Sequence, residues 1–272
     1  MTDLEKKETQ AIDLIRAASK SRRYIVSYSG GKDSDVMLHL FRKAKVDFDL
    51  IYKNTTIDPP HTLQHVRQAG AFVIEPRYSF FRLIERKGFP SFARRFCCSE
   101  LKEGYIGKYV ALGVRREESK KRAERYDAPE VCRIYTKTKV TCQLLPLVFW
   151  TNEDILSYIK AESITLHPLY YNSRGVVDVR RRLGCLGCPL PYNRSLPDFL
   201  QYPRLVRAWI RHNDIFRQTH PASEAVAEFH SSYDQFANNV FYHDTENFRT
   251  ATYGLFPIDW RSKLSDIFGI DL

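Results

Sequence analysis

No apolar run in this chain approaches the roughly 20 residues that a membrane span requires, Leu144 to Trp150 being among the longest. The start, Met1-Thr2-Asp3-Leu4-Glu5-Lys6-Lys7, is charged rather than signal-like, so a soluble, cytoplasmic protein is expected. No internal repeat or low-complexity tract stands out. Acidic residues are in deficit: 42 Lys and Arg face 32 Asp and Glu, a net charge of +10. A disulfide framework is not expected either, because cellular thiols keep the six cysteines of a cytoplasmic chain reduced.

What is present is enough apolar material, 43% of 272 residues, for one substantial core. The basic excess gathers at Arg22-Arg23, Arg94-Arg95, Arg115-Arg116, Lys120-Lys121-Arg122 and Arg180-Arg181-Arg182. Such clusters suit an anionic partner, whether nucleotide, phosphate or sulfate ester, or nucleic acid, and suit equally a solvated surface.

Residues 3 to 21 read as an amphipathic helix. Tyr24-Ile25-Val26-Ser27-Tyr28 then reads as a strand, followed by a glycine loop and a helix over residues 35 to 44. Strands at residues 48 to 52 and 71 to 74 bracket a helix at 61 to 69, and the β-α-β-α-β order predicts a parallel, doubly wound sheet. Tyr109 to Val114 adds an inner strand, Thr151 and Asp154 cap a helix running to about Lys160, and a later helix spans Tyr202 to Arg217. Residues 1–183 are expected to form the sheet domain, and 184–272 a helical C-terminal extension packed on it.

Ser29-Gly30-Gly31-Lys32-Asp33-Ser34 falls between the first strand and the next helix. Unpaired helix N–H groups there favour an anion, and the two glycines let backbone wrap a pyrophosphate. It is not a Walker A loop, because Val26 stands where that pattern needs glycine and Asp33 where it needs Ser or Thr.

The hexapeptide resembles the pyrophosphate loop of the adenine-nucleotide α-hydrolases, a group that includes phosphoadenosine-phosphosulfate reductases, ATP sulfurylase small subunits and tRNA-thiolating ligases. Four further segments resemble the reductase branch: Asn54 to Thr62, Arg95 to Lys102, Gly113 to Ser119 with Arg122, and Gly184 to Pro189. The resemblance implies a Rossmann-like, mostly parallel sheet with helices on both faces. It implies ATP or a related adenine nucleotide with Mg²⁺, bound by residues 29 to 34, Asn54, Thr55, Gly113, Glu117 and Ser119. Lys32, Asp33, Arg115, Arg116 and Arg122 are the expected catalytic residues; guanidinium forks match phosphate oxygens independently of any family.

Cys97-Cys98 and Cys185-x-x-Cys188 supply four soft ligands, suited to zinc or to an iron–sulfur cluster. The adjacent pair is unusual for zinc, and the resemblance to cluster-bearing members favours [4Fe-4S], with zinc as the alternative. Cys132 and Cys142 read as packed side chains, and His61 and His167 as structural residues. Assimilatory reductases use a cysteine near the C-terminus as nucleophile, whereas here none follows Cys188. The expected chemistry is therefore adenylylation with release of pyrophosphate. DNA phosphorothioation enzymes, which the sequence resembles, would make DNA or tRNA the acceptor and a cysteine desulfurase or another sulfur donor the partner. The alternatives are a sulfonucleotide reductase using a different thiol, and a nucleotide-sensing or nucleic-acid-binding module with a structural metal.

Overall fold

Six strands form one sheet in the order β3-β2-β1-β4-β6-β5: β1 (Tyr24–Ser27), β2 (Phe48–Lys53), β3 (Phe72–Ile74), β4 (Tyr109–Ala111), β5 (Glu130–Ile134) and β6 (Val140–Leu144). All neighbours pair in parallel except β5, which runs antiparallel to β6. The structure, a computed structural model, describes residues 2–190, 195–242, 244–254 and 257–272.

The sheet lies in the first of two compact units, residues 1–54, 59–75 and 104–183. Its inner strands are apolar because covering helices bury them: Tyr24, Val26, Ala111 and Leu144 share a core with residues of α1 (Asp3–Ser19), α2 (Lys32–Ala44) and the helix Asn152–Ala161. A smaller cluster joins Tyr28, Leu38 and Tyr52 to Val66 of α3 (Thr62–Gln68). Thr2 and Glu5 close a capping box at the start of α1, and Thr151 and Asp154 close the one expected from sequence. The mostly parallel sheet is the one the β-α-β-α-β alternation predicts.

From β1 the chain steps outward to β2 and β3, then returns to the other side of β1 as β4. That reversal opens a crevice at the carboxyl ends of β1 and β4, the place where such sheets bind ligands.

The second unit comprises residues 55–58, 76–103 and 184–272. Among the described residues its regular elements are helices, including Phe80–Lys87, Phe96–Leu101, Ser195–Gln201, Pro203–Thr219, Ser232–Ala237, Thr245–Thr252 and Trp260–Phe268. Its core is aromatic: Trp209 packs at ring-centroid distances of 5.1 Å from Phe80, 5.6 Å from Phe89 and 5.4 Å from Phe199. Residues 55–58 and 76–103, which sequence order groups with the sheet domain, belong here because Ile57, Phe80, Leu83, Ile84 and Phe89 bury with Trp209, Ile210 and Phe236. Among the described residues no helix is long and apolar enough to cross a membrane.

Candidate functional site

The glycine loop joins β1 to α2, as its sequence predicts. Gly30 adopts φ +72°, a conformation costly for any residue with a side chain, and Gly31 serves as the N-cap of α2. No side chain caps that helix end, so its first N–H groups face the crevice. Ser34 locks the loop internally: its hydroxyl donates to the Gly31 carbonyl at 2.7 Å and accepts the Ser29 N–H at 3.3 Å. Ser29 Oγ also accepts the Gly31 N–H at 3.4 Å.

Gly113, just beyond β4, closes the other wall. A Cβ there would meet the Asp33 carbonyl oxygen at 3.0 Å and the Ser34 nitrogen at 3.3 Å. These are backbone atoms and cannot rotate away. Gly113→Ala is therefore expected to displace the first turn of α2 at a strain of about 1–3 kcal/mol. Calorimetry should show both a lowered thermal midpoint and weaker ATP binding; unchanged values for both would refute the close approach.

Lys32 and Asp33 pair at the head of α2, with Nζ 2.9 Å from Asp33 Oδ2. Lys32 is buried, and burial pushes its ammonium below the ordinary lysine range, against the opposing pull of Asp33. Arg115 grips the other oxygen of Asp33 at 2.7 Å. It is 1% exposed. Its remaining N–H groups reach Glu117 Oε2 at 3.0 Å, the Trp150 carbonyl at 3.3 Å and Asn152 Oδ1 at 2.8 Å. The guanidinium is thus enclosed by protein acceptors, a strut that fixes Asp33.

Arg122 stands differently. Glu118, itself almost buried, holds Arg122 with one oxygen and Arg182 with the other, the latter at 2.8 Å. Burial and the neighbouring Arg182 push Arg122 below its ordinary range. One carboxylate thus holds two guanidiniums that remain partly exposed, and Arg122 is close enough to Asp33 and Arg115 to feel their charge. Arg182 was not singled out from sequence; its only signal was a place in the run Arg180-Arg181-Arg182. Arg116 turns its guanidinium over the exposed ring of Phe149, at 5.7 Å.

Other expected contacts have local roles. Ser119 caps the helix Lys120–Arg125 through the Arg122 N–H. Asn54 donates to Glu75 at 2.8 Å. Tyr170 hydroxyl, which sequence reasoning passed over, accepts the Leu183 N–H at 3.2 Å and lies 3.2 Å from where a Gly31 Cβ would stand. Beneath the loop, buried Asp35 receives hydrogen bonds from Tyr28 and His65, the latter at 3.0 Å. His167 is buried against Pro60 and Thr62, as expected of a structural residue. Cys132 and Cys142 face each other across β5 and β6 with sulfurs 3.6 Å apart.

All four cysteines of the two pairs fall in the second unit. Thr55, from the loop expected to flank the nucleotide, is buried, its hydroxyl bonded to Cys185. The turn at Gly187 has φ +67°, and a Cβ would strike Phe199 at 2.5 Å, so only glycine lets Cys185 and Cys188 turn together. A hydrogen bond from Cys97, aided by Arg95, pulls the Cys98 thiol down to about 6 against the effect of burial. That same bond and burial push Cys97 up, with Cys185 and Cys188 also acting on it. Burial pushes Cys185 and Cys188 up. Lys102 hydrogen-bonds Cys185; burial lowers its basicity, but Cys185 and Asp58 outweigh burial and raise it.

Among the described residues no three His, Cys, Asp or Glu side chains gather around one point as a single ion requires. Cys98, Cys185 and Cys188 nevertheless all act on Cys97, with Arg95 and Lys102 beside the two pairs, a set of soft donors and cations whose chemistry would suit an anionic cluster.

A loop of this kind at the β1/β4 switch point defines an adenine-nucleotide α-hydrolase type of site. The chain belongs to the phosphoadenosine phosphosulfate reductase domain family, whose model matches residues 23–191, a family of nucleotide-using enzymes of sulfur metabolism. An uncharacterised protein of Methanocaldococcus jannaschii is 25% identical over 229 residues, covering 76% of this chain and 52% of that protein. The chain thus spans about half the length of that relative. Sulfate adenylyltransferase subunit 2 of Hahella chejuensis is 30% identical over 209 residues, covering 64% of this chain and 69% of the subunit. A crystal structure of phosphoadenylyl-sulfate reductase from Candida auris, a phosphate complex, aligns with TM-score 0.44 and 15% identity over 67% of this chain and 98% of that one.

Proposed function

We propose that the protein is an ATP-dependent adenylylating enzyme of sulfur transfer, with DNA or tRNA as acceptor. The observation that carries this reading is the cradle of Gly30, Gly31 and Lys32 at an uncapped helix start, faced by the Arg122–Glu118–Arg182 group. Such a cradle suits a pyrophosphate that must be retained as it leaves. An acceptor oxygen, a backbone phosphate oxygen of DNA or a base carbonyl oxygen of tRNA, attacks the α-phosphorus. The bond to the β-phosphate bridging oxygen breaks, and pyrophosphate departs with the electron pair. Sulfide-level sulfur (HS⁻), released from a donor such as a cysteine desulfurase persulfide by a thiol reductant, then attacks the activated phosphorus or carbon; its proton passes to solvent and AMP departs with the electron pair of the cleaved bond.

Mg²⁺ bound with the nucleotide would offset phosphate charge, with the carboxylates of Asp33 and Glu117 available to hold it. Cys97, Cys98, Cys185 and Cys188 would hold a [4Fe-4S] cluster, which supplies sulfur-site redox chemistry when bound. Lys102, beside Cys185, would balance its charge.

The test follows pyrophosphate from ATP with DNA and with tRNA, using anaerobically prepared protein assayed for iron and sulfide. Release is expected only with the true acceptor. Sulfite produced from a sulfonucleotide with thioredoxin, and no pyrophosphate from ATP with either acceptor, would overturn the proposal in favour of reduction.

A further inference from the structure

We infer that Cys132 and Cys142 form a reversible modification site, a dithiol that hydroperoxides close into a cross-strand disulfide. The two sulfurs lie 3.6 Å apart, on residues directly opposite each other in the antiparallel pairing of β5 with β6. Residues so paired project from the same face of a sheet. Cys132 is exposed, which removes the packing role expected of it from sequence, and Cys142 is half-buried.

The type of pairing brings the bond within reach. Antiparallel neighbours alternate between pairs that exchange backbone hydrogen bonds and closer pairs that do not. Cys142 sends its N–H away from β5, to the Lys108 carbonyl at 2.7 Å, on the side where β4 lies. On either side of the cysteines the Leu145 N–H bonds the Pro129 carbonyl at 2.7 Å, and the Tyr135 N–H bonds the Lys139 carbonyl at 2.8 Å. In this register the odd-numbered residues therefore exchange hydrogen bonds and the even-numbered ones do not. Cys132 and Cys142 belong to the close kind, in which Cα atoms stand about 4.5 Å apart. Disulfides span Cα separations of roughly 4.4–6.8 Å, so side-chain rotation closes this one without rearranging the backbone.

Exposure makes Cys132 the sulfur that a peroxide reaches first. Burial, and then the hydrogen bond with Cys132, push the Cys142 thiol above its ordinary range, so it keeps its proton at neutral pH. Attack by the Cys132 sulfur on a hydroperoxide ROOH forms an S–O bond and breaks the O–O bond, and ROH leaves with the Cys132 proton. The Cys142 sulfur then attacks the sulfenic acid. The S–S bond forms, the S–O bond breaks, and hydroxide departs with the Cys142 proton as water. Two thiols and ROOH thus give one disulfide, ROH and water, each sulfur losing one electron to the peroxide. A dithiol reductant restores the pair by exchange.

The bond acts on the free edge of the sheet. β5 ends the strand order, and its Ile134 is 74% exposed. Such edges are where a sheet pairs with other chains. The disulfide ties β5 to β6 for as long as the oxidant persists.

Peptide mapping of the full chain tests the inference, after reduction, anaerobic removal of the reductant and exposure to equimolar hydrogen peroxide. Trypsin cuts after Arg133, Lys137 and Lys139, between the two cysteines, so the bond appears as two joined peptides lighter by two hydrogens than their sum. The joined pair is expected after peroxide and should disappear with dithiothreitol. In the oxidised protein the amides of Glu130–Ile134 should exchange hydrogen at least about tenfold more slowly, because the closed loop restricts opening of the edge. Cys142→Ser should leave Cys132 as a sulfenic acid that dimedone traps, whereas Cys132→Ser should leave Cys142 unlabelled. No joined peptide from folded, peroxide-treated protein, or Cys132 joined instead to Cys97, Cys98, Cys185 or Cys188, overturns the site. Dimedone on Cys142 in Cys132→Ser overturns the order of attack, and unchanged exchange across β5 overturns the tie.

Discussion

Replacing Arg115 by methionine is expected to lower the thermal midpoint by roughly 10 °C. Its guanidinium is buried and bonded to Asp33, Glu117, Asn152 and the Trp150 carbonyl. Removing one member of such a buried charged set leaves carboxylates without their counter-charge, at a cost of about 3–5 kcal/mol. For a chain of this size each kcal/mol moves the midpoint by roughly 2–4 °C. Arg115→Lys keeps the charge but loses the fork, and should fall between the two. Scanning calorimetry decides the matter: a midpoint within about 2 °C of wild type would mean the arginine is not the strut that its bonds describe. The folded fraction of either variant should also bind ATP weakly, since Asp33 and through it Lys32 lose their anchor.

Lys32→Met should do the opposite to stability while disabling the site. The buried ammonium sits below its unfolded value of 10.5, so at neutral pH the charged lysine opposes folding. Between the folded pKa and 10.5 the unfolded chain binds more protons, so wild-type stability rises with pH across that window. The methionine variant is thus expected to melt higher than wild type near neutrality, with the advantage shrinking as pH rises towards 10.5. Its ATP affinity should fall roughly ten- to hundred-fold, the worth of a hydrogen bond to a charged group. A variant that melts lower at neutral pH, or binds ATP as wild type does, would sink this account. Higher stability with lower affinity is what a residue placed for its ligand rather than for its fold should give.

The glycine loop and the sheet around it were legible because they are local. Tyr24 to Ser34 announces strand, loop and helix within eleven residues, and Thr151 and Asp154 mark a helix start within four. The β5–β6 hairpin was not legible: β5 is an edge strand whose residues alternate exposed and half-buried, so its pattern carries little apolar signal. Nor was the Glu118 grip on Arg122 and Arg182, since Arg182 lies some sixty residues from Glu118 and only folding brings them together. Residue type and the family resemblance of the Gly113–Ser119 segment likewise assigned Arg115 to the phosphates. Its burial and its four protein partners support a positioning role, and the calorimetry above separates the two.

The second unit also has a temporal consequence. Its core joins Phe80, Leu83 and Ile84 to Phe248, Trp260, Leu264 and Phe268. A ribosome delivers the first group about 180 residues before the last. At roughly 5–20 residues per second the helix Phe80–Lys87 would wait about 10–40 s for its final partners. Throughout that interval the nascent chain presents an uncovered aromatic face, a substrate for chaperones that bind exposed apolar segments. Synthesis in their absence should yield aggregates nucleated by residues 80–89, even though the finished molecule buries every one of the large apolar side chains Phe80, Leu83, Ile84 and Phe89.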